Sequence, residues 1–581
     1  RIIKIDFNFS GVILATVILT IIAICSVYGA SRDVEIQENE EVPPDPEVLL
    51  PPSWSKLKIF KRGAVCADAA QCAKKNGSAV DATIAAMICN GLVNMQSMGI
   101  GGGFFMTIYD KASKHAYTLA ARDRAPLAAN DTIFHFLCPL AIAVPGELAG
   151  YWEAHQRFGK LPWADLFRPS IELCEEGYNL TKVQHDGFRY NAKNILKDHT
   201  LKELFVDPKT NDFYKPGSTI KPKVFCKTLR VIAEKGASEL YNGTLGKLLV
   251  QDLQERGAII TMKDLNNYRY LSLNLSNGMK LFTVGLPASG ALLIYILNIF
   301  DRFNFTPDGL ADFNKTALTY HRMIETFKYA YALRNDMADK EFLTKNLTSK
   351  TRAKETQMMI DDYKTWDDPA HYGARMLSSA KDQGTAHVSV LAPNGDAYVY
   401  FFNINKLLDG ISKNTGILLN NGMNDFGIPS AINYFGIPPS PNNNIAPGKR
   451  PLSSMVPSIL IDENGDVRMV VGASGGTRIT TTVSQVNIYQ FNILSGISEC
   501  VISQLSYEAV DAPRIHHQLI PPNVSYEYGV PKQIIDELKK IGHKTARYRI
   551  RGSVACIIYT KNNTVYGNAD YRKEGDVYGF D

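Results

Sequence analysis

The sequence predicts a mixed α/β protein in which a helix-rich first part meets a strand-rich second part near residue 385. Apolar residues recur with helical spacing through most of the chain between residues 78 and 380. After Thr385, short alternating runs flank Asn-Gly or Asn-Asn pairs, which is the pattern of β-hairpins. A chain of 581 residues is also longer than one hydrophobic core usually serves, so we expect at least two lobes.

The individual elements follow from local patterns. Helices are predicted from Ser78 to Met87, over LAGYWEAH at residues 148–155 and over HRMIETFKYA at residues 321–330. Three hairpins are predicted, with turns at residues 393–396, 463–466 and 562–563. The pair Gly384–Thr385 stands where the two parts meet, and Thr385 opens the first of the predicted strands.

The N-terminal residues predict an exported protein. Residues 11–30 are uncharged and mostly apolar, and a bilayer-spanning helix needs about 20 such residues. Basic residues precede the run, and residues 31–55 are acidic and proline-rich, as in an extended stalk. We therefore expect a cytoplasmic tail at 1–10, a single-pass type II anchor at 11–30, a stalk at 31–55 and an extracellular part beyond it. A cleaved signal peptide and a secreted protein are the alternative.

Glycosylation motifs and cysteines agree with export. The part beyond the apolar run contains ten Asn-x-Ser/Thr motifs, of which only some need carry glycan: Asn76, Asn130, Asn179, Asn242, Asn274, Asn304, Asn314, Asn346, Asn523 and Asn562. It also contains eight cysteines that match no zinc pattern: Cys66, Cys72, Cys89, Cys138, Cys174, Cys226, Cys500 and Cys556. An oxidising compartment permits disulfides among them, but the sequence does not give their connectivity.

Composition and motifs exclude several other functions. A net charge of +5 without a basic block does not predict nucleic-acid binding. Gly99-Ile100-Gly101 lacks the last glycine of a dinucleotide fingerprint and is better explained by tight backbone packing. His516 and His517 have no neighbouring ligand pattern, so we expect neither a metal nor another cofactor.

Two candidate nucleophiles compete. Gly472-Ala473-Ser474-Gly475-Gly476 satisfies Gly-x-Ser-x-Gly after an apolar run, and Asp511 with His516, His517 or His543 could complete a triad. Alternatively, Gly475 and Gly476 form an oxyanion hole with their backbone N–H groups, and the nucleophile lies elsewhere. Thr385 would then be that nucleophile, exposed as a new N-terminus by cleavage of the Gly384–Thr385 bond.

Long motifs in order resemble the γ-glutamyltransferase (γ-glutamyl transpeptidase) family of N-terminal-nucleophile hydrolases. The resemblance runs from about residue 60 to the C-terminus and is carried by SAVDATIAAMICNGLVNMQSMGIGGG, AARDRAP, AIAVPGELAGYWEAHQRFGKLPW, DLNNYR, QGTAHVSV, KRPLSSM and GASGGTRITTT. It implies an αββα sandwich built jointly by two autoprocessed chains. The large subunit would comprise residues 56–384 and the small subunit residues 385–581, with Thr385 as nucleophile and its α-amine as base.

The resemblance also implies a substrate and its binding residues. The substrate would be a γ-glutamyl amide such as glutathione, whose glutamyl group passes to water, an amino acid or a dipeptide. Arg122 would bind the α-carboxylate with help from Ser453 and Ser454. Asp425 and Asn405 would hold the α-ammonium, and no cofactor would be needed. Cys72 and Cys89 stand where the family commonly has a disulfide.

Two departures from the family pattern fall near the expected site. Gly422 stands where the family usually has a glutamate for the ammonium, which leaves Asp425 as the one expected carboxylate. Asn403 replaces a threonine near the nucleophile. We therefore expect an enzyme with raised KM that Gly422→Glu would lower. The alternative is a divergent family member with weak or no catalysis that acts as a binding protein.

Overall fold

The computed structural model describes residues 77–130, 139–275, 281–339, 348–374, 385–403, 410–427, 440–489, 509–547, 554–561 and 564–570, together with Arg572 and Val577. The predicted tail, anchor and stalk at 1–10, 11–30 and 31–55 lie outside these ranges, as do Gly384, Asn405 and Cys72. Within the described ranges, no helix is both long and apolar enough to cross a bilayer.

Fifteen α-helices are described: α1 Ala79–Val93, α2 Glu147–Phe158, α3 Trp163–Glu176, α4 Lys182–Tyr190, α5 Ala192–Ile195, α6 His199–Phe205, α7 Lys223–Lys235, α8 Ser238–Tyr241, α9 Thr244–Glu255, α10 Met262–Asn266, α11 Gly290–Phe303, α12 Phe313–Arg334, α13 Lys350–Met359, α14 Ile479–Ile488 and α15 Lys532–Ile541. The described strands are β1 Gly103–Asp110, β2 His115–Ala121, β3 Tyr178–Asn179, β4 Val206–Asp207, β5 Asp212–Phe213, β6 Thr219–Ile220, β7 Leu271–Leu275, β8 Leu281–Thr283, β9 Thr385–Leu391, β10 Ala397–Asn403, β11 Ser458–Ile461, β12 Val467–Ser474, β13 Ile515–His516, β14 Val524–Tyr526, β15 Thr545–Arg547, β16 Val554–Lys561 and β17 Thr564–Ala569. The three helices predicted from periodicity correspond to α1, α2 and part of α12.

Two five-stranded sheets dominate the fold. The first has the order β7-β2-β1-β10-β9 and the second the order β17-β16-β12-β11-β8, and every neighbouring pair in both is antiparallel. The three predicted hairpins are confirmed as β9–β10, β11–β12 and β16–β17. In the first two, Gly395 and Gly465 have φ of 88° and 85°, the positive values that glycine adopts without steric cost.

The sheets pack face to face between helices. Strand β12 of the second sheet lies against β9 and β10 of the first. Apolar side chains from both sheets fill the space between them, including Phe105, Val399, Val470 and Ile557. Helix α1 packs outside the first sheet, and α14 packs outside the second, with α11 against α14. The layers therefore run helix, sheet, sheet, helix, which agrees with the predicted fold class.

The described disulfide joins two helices of the large, helix-rich part. Cys174 of α3 is bonded to Cys226 of α7, with their Cα atoms 5.7 Å apart. Cys89 is disulfide-bonded as well. The sequence left this connectivity open, because residues 174 and 226 meet only through the packing of α3 on α7.

Candidate active site

The strand register brings Thr385 and Arg122 to the same end of the first sheet. Thr385 opens β9 and is paired with Asn403 of β10, which is paired with Gly103 of β1. Gly103 in turn lies beside Arg122 and Asp123, the two residues that follow β2. A Cβ atom added at Gly103 would lie 2.5 Å from the backbone nitrogen of Asp123. Three inter-strand steps of roughly 4.8 Å thus separate the backbone of Thr385 from that of Arg122, about 14 Å in all. The candidate nucleophile and the candidate carboxylate-binding arginine belong to one row across four strands.

Thr385 is deeply enclosed. Its relative exposure is 1%. Its pairing with Asn403 concerns the backbone, and the side chain of Asn403 lies outside the described atoms. The cleavage partner Gly384 and the candidate ligand Asn405 also lie outside the described residues, so the roles proposed for them stay predictions.

Arg122 is fully buried and bridges two carboxylates. Its Nη1 donates to Asp123 Oδ1 at 2.9 Å, and its Nη2 donates to Asp425 Oδ2. The structure thus brings together Arg122 and Asp425, the two residues that the sequence assigned to opposite ends of an amino-acid group. A guanidinium opposite carboxylates is a strong, directional pair, because each N–H···O bond is assisted by charge.

Asp425 is positioned by a short turn that is anchored to the glycine-rich loop before β1. The turn is a 3-10 helix, Gly422–Asp425. Just before it, Asn420 Nδ2 donates to the carbonyl groups of Gly101 at 2.7 Å and Ala143 at 2.8 Å. Asn443 Nδ2 donates to the Asp425 carbonyl at 2.7 Å. These buried amide contacts fix the turn relative to the first sheet.

Asp123 is the residue near this turn that sequence reasoning missed. A Cβ atom built on Gly422 would lie 1.5 Å from Asp123 Oδ2, so the aspartate carboxylate occupies the space beside the glycine. Besides Asp425, the carboxylate of Asp123 therefore lies next to Arg122 and Gly422. Gly422→Glu requires the Asp123 side chain to move, and its effect on KM stays a prediction. Positions 123 and 422 are far apart in sequence, and only the fold joins them.

Ser453 and Ser454 are buried, and both contact residues that precede Thr385 in the sequence. The Ser453 N–H donates to the Pro287 carbonyl at 3.0 Å, and Ser289 Oγ donates to the Ser453 carbonyl at 2.7 Å. Ser454 Oγ accepts a bond from Arg334 Nη2 at 3.2 Å. Arg334 is buried at the end of α12, and nothing in its local sequence indicated this contact.

The glycines after β12 have the backbone that the oxyanion-hole hypothesis needs. Gly475 and Gly476 have φ of 141° and 63°, and they precede the first turn of α14. Such angles favour glycine and direct consecutive N–H groups away from regular strand pairing. Thr480 in α14 donates from Oγ1 to the Ser454 carbonyl at 3.0 Å. This bond ties the first turn of α14, which follows the glycines, to Ser454.

The competing assignment of Ser474 as nucleophile finds no support in the fold. A nucleophile elbow joins a strand to a helix in a mostly parallel sheet, whereas both neighbours of β12 are antiparallel. The candidate histidines contact other groups. His516 bonds to Thr481 and Gln518, and His543 bonds to His321 at 2.8 Å. Burial lowers the pKa of His516 to about 3, which makes it a poor general base near neutral pH.

One cluster in the described part of the chain has metal-ligand geometry. His321, Glu325 and His543 place ligand atoms within 4.8 Å of one another. However, Glu325 Oε1 lies 3.1 Å from Lys328 Nζ, and its carboxylate accepts bonds from Thr365 and Tyr372. The lysine already neutralises this carboxylate, so the cluster resembles a buried ion-pair network more than a vacant cation site.

Two facing antiparallel sheets between helical layers, with a buried threonine opening a strand, define the N-terminal-nucleophile hydrolase class of fold. A solved cephalosporin acylase from Bacillus halodurans shares this fold with a TM-score of 0.71, at 20% identity and with coverage of 89% of this chain and 94% of that one. The chain belongs to the γ-glutamyltranspeptidase family, whose sequence profile, "Gamma-glutamyltranspeptidase", matches residues 66–580.

Full-length relatives agree with this assignment. Scoloptoxin SSD14 from Scolopendra dehaani is 41% identical over 91% of this chain and 94% of its own length. Glutathione hydrolase proenzyme 1 from Schizosaccharomyces pombe is 34% identical over 88% of this chain and 84% of its own length. The family profile, which matches residues 66–580, spans all the candidate site residues.

Proposed function

We propose that the chain cleaves itself at Gly384–Thr385 and then acts as a γ-glutamyl transferase and hydrolase. Thr385 Oγ attacks the Gly384 carbonyl, the peptide nitrogen leaves, and water hydrolyses the resulting ester. The products are a large subunit ending at Gly384 and a small subunit of residues 385–581. An α-amino group ordinarily has a pKa of about 8, well below that of a lysine side chain, so the freed amine of Thr385 can accept a proton close to neutral pH.

The proposed substrates are γ-glutamyl amides such as glutathione and its conjugates. The observation that carries this proposal is the row that joins buried Thr385 to Arg122 and its two carboxylates. A glutamyl group carries an α-carboxylate and an α-ammonium, and such a zwitterion needs both charges in its site. The name of the Schizosaccharomyces pombe relative, glutathione hydrolase proenzyme 1, agrees in both substrate and processing.

The remaining residues take supporting roles in this proposal. Ser453 and Ser454 assist Arg122 at the α-carboxylate, and Asn405 and Asp425 bind the α-ammonium. Asn403 lies beside the nucleophile along the sheet row. Gly475 and Gly476 stabilise the tetrahedral oxyanion with backbone N–H groups, an interaction that strengthens as negative charge develops on the oxygen. The acyl group then passes to water, an amino acid or a dipeptide.

Denaturing gels of matched variants test the nucleophile. Thr385→Ala should remain a single chain, because no hydroxyl attacks the preceding carbonyl. Ser474→Ala should still separate into two chains and hydrolyse γ-glutamyl-p-nitroanilide. Thr385→Ser retains a hydroxyl and should process, which controls for misfolding of the alanine variant. The assignment of Thr385 as nucleophile would be refuted if Thr385→Ala still separated into two chains. It would also be refuted if Ser474→Ala were the one variant that remained a single chain.

The second candidate is a binding protein without catalysis. Gly422 and Asn403 favour it, because both replace residues that the family usually has near the nucleophile. Wild-type protein that separates cleanly at Thr385 but turns over no γ-glutamyl anilide would select this candidate. Measurable turnover that Thr385→Ala abolishes would exclude it.

For the N-terminal segment we propose that residues 11–30 anchor the protein in the cell membrane with the catalytic part outside. The support is the length and apolar character of the run and the basic residues before it. Extraction of membranes with alkaline carbonate should leave the large subunit, with residues 11–30 intact, in the pellet. Release of the protein into the medium, with a new N-terminus near residue 31, would instead establish the secreted form.

A further inference from the structure

The oxyanion loop, Gly475–Thr477, is held by side chains from two other parts of the chain. Gly475 and Gly476 have no side chains with which to anchor it, but Thr477 is bound at two atoms. Its backbone carbonyl accepts from the Tyr331 hydroxyl, and its Oγ1 donates to Gln518 Oε1 at 2.6 Å. Because glycine has more backbone freedom than any other residue, bonds at the adjacent residue restrict where the glycine N–H groups point.

The bond from Tyr331 comes from the last turn of α12, which also contacts a predicted substrate-binding serine. Tyr331 and Arg334 are three residues apart and therefore neighbours on the helix surface. Both side chains are buried. Arg334 Nη2 donates to Ser454 Oγ at 3.2 Å, and the Ser454 carbonyl accepts from Thr480 Oγ1 at 3.0 Å. One turn of α12 in the predicted large subunit thus braces both the oxyanion loop and Ser454 in the predicted small subunit.

We propose that Tyr331 is a positioning residue that holds the oxyanion loop in the geometry needed by the tetrahedral intermediate. This inference rests on the proposed function. The hydroxyl acts through the Thr477 peptide group, and the donors to the oxyanion are the backbone N–H groups of Gly475 and Gly476. Such donors are effective because they are already oriented when negative charge develops on the oxygen. Loss of the hydroxyl should therefore weaken binding of the tetrahedral state more than binding of the planar substrate or product.

Replacing Tyr331 with phenylalanine tests the role of the hydroxyl. The variant keeps the ring and its edge-on contact with His516, whose centroid lies 5.7 Å away. In processed protein, kcat for γ-glutamyl-p-nitroanilide should fall about three- to thirtyfold, because one buried bond is lost. This is less than the loss of about a hundred- to thousandfold that follows removal of an oxyanion donor itself. KM should change less than about twofold, because the contacts to the glutamyl end remain.

Two competitive inhibitors separate positioning of the loop from a general loss of structure. Glutamate has a planar γ-carboxylate, whereas 2-amino-4-boronobutanoate carries boron in place of the γ-carboxyl carbon. Boron accepts an electron pair from Thr385 Oγ and becomes tetrahedral, and the hydroxyl proton passes to the α-amine. Tyr331→Phe should weaken inhibition by the boronate about three- to thirtyfold and inhibition by glutamate less than about twofold.

Two further variants provide a matched control and an independent test. Tyr329 lies on the same helix, is equally buried at 5% exposure, and its hydroxyl lies 3.5 Å from His371 Nε2. Tyr329→Phe should change neither kcat nor boronate inhibition by more than about twofold. Thr477→Val removes the bond to Gln518 and keeps a side chain of similar shape. It should weaken inhibition by the boronate more than inhibition by glutamate.

The outcomes distinguish this inference from the proposed function. Unchanged kcat in Tyr331→Phe, or equal weakening of both inhibitors, would overturn the inference and leave the proposed function intact. If Tyr331→Phe did not fold, Thr477→Val would decide by the same comparison of the two inhibitors. A wild type without γ-glutamyl turnover would refute the proposed function and this inference with it.

Discussion

Replacing Arg122 with lysine tests whether the site needs a guanidinium rather than a positive charge. Arg122 binds Asp123 through Nη1 and Asp425 through Nη2, and all three side chains are buried. A lysine ammonium is a single point on a flexible stem and cannot reproduce this fork. At least one carboxylate then loses a charge-assisted bond inside the protein.

The magnitude follows from that lost bond. A hydrogen bond to a charged group contributes about 1.5–3 kcal/mol, and 1.4 kcal/mol corresponds to a factor of ten. Bidentate binding of the substrate carboxylate would be lost as well. We therefore expect Arg122→Lys to raise KM for γ-glutamyl-p-nitroanilide by about ten- to hundredfold, with a smaller change in kcat, because ground state and transition state lose the same contact.

Steady-state kinetics on processed protein measure this effect, and Arg514→Lys provides the control. Arg514 is a buried arginine that likewise pairs with two carboxylates, Glu527 and Asp570. Its replacement should lower the thermal midpoint without changing KM. Equal KM in wild type and Arg122→Lys, or the same rise in KM in Arg514→Lys, would remove Arg122 from the substrate site.

Two further predictions concern pH. Burial raises the pKa of Glu147 to about 8, so between about pH 4.5 and pH 8 the folded protein keeps a proton that the unfolded chain releases. The free energy of unfolding therefore falls as pH rises through this window. Glu147→Gln should therefore raise the thermal midpoint at pH 8 more than at pH 5, and equal changes would contradict the assignment. Burial lowers the pKa of His543 to about 2, so its stabilisation is present above about 6.5 and declines as pH falls. His543→Gln should reduce the loss of unfolding free energy between pH 7 and pH 5 by about 2 kcal/mol, measured by urea denaturation, and an undiminished loss would refute it.

Local sequence patterns predicted three hairpins and several helices because their signals are short-range, but they missed strands β1, β2, β7 and β8 in the part predicted to be helix-rich. The hairpin turns at Gly395 and Gly465 need only a residue that tolerates positive φ between two apolar runs. Ser78 caps helix α1: its Oγ accepts from the Asp81 N–H at 3.1 Å, and this capping box can be recognised in the sequence. Such features depend on neighbours within a few residues.

The contacts that define the site depend on tertiary packing. Nothing near Asp123 or Arg334 in the sequence indicates that their side chains meet Gly422 and Ser454, respectively. Family motifs identified Arg122 and Asp425 as candidate site residues, but they did not indicate that the two side chains are bonded to each other. The disulfide between Cys174 and Cys226 has the same origin, because the packing of two helices selects one pairing among many.

The Asp123 carboxylate lies in the space beside Gly422, and this changes what the missing family glutamate at position 422 implies. Taken alone, a glycine at a position that usually carries a carboxylate indicates lost recognition of the ammonium and favours a silent binding protein. In the fold, the same glycine makes room for a second buried carboxylate beside Arg122. The substitution at position 422 therefore weighs less against catalysis than the motif comparison suggests, and Asn403 beside Thr385 becomes the departure that a turnover measurement must test.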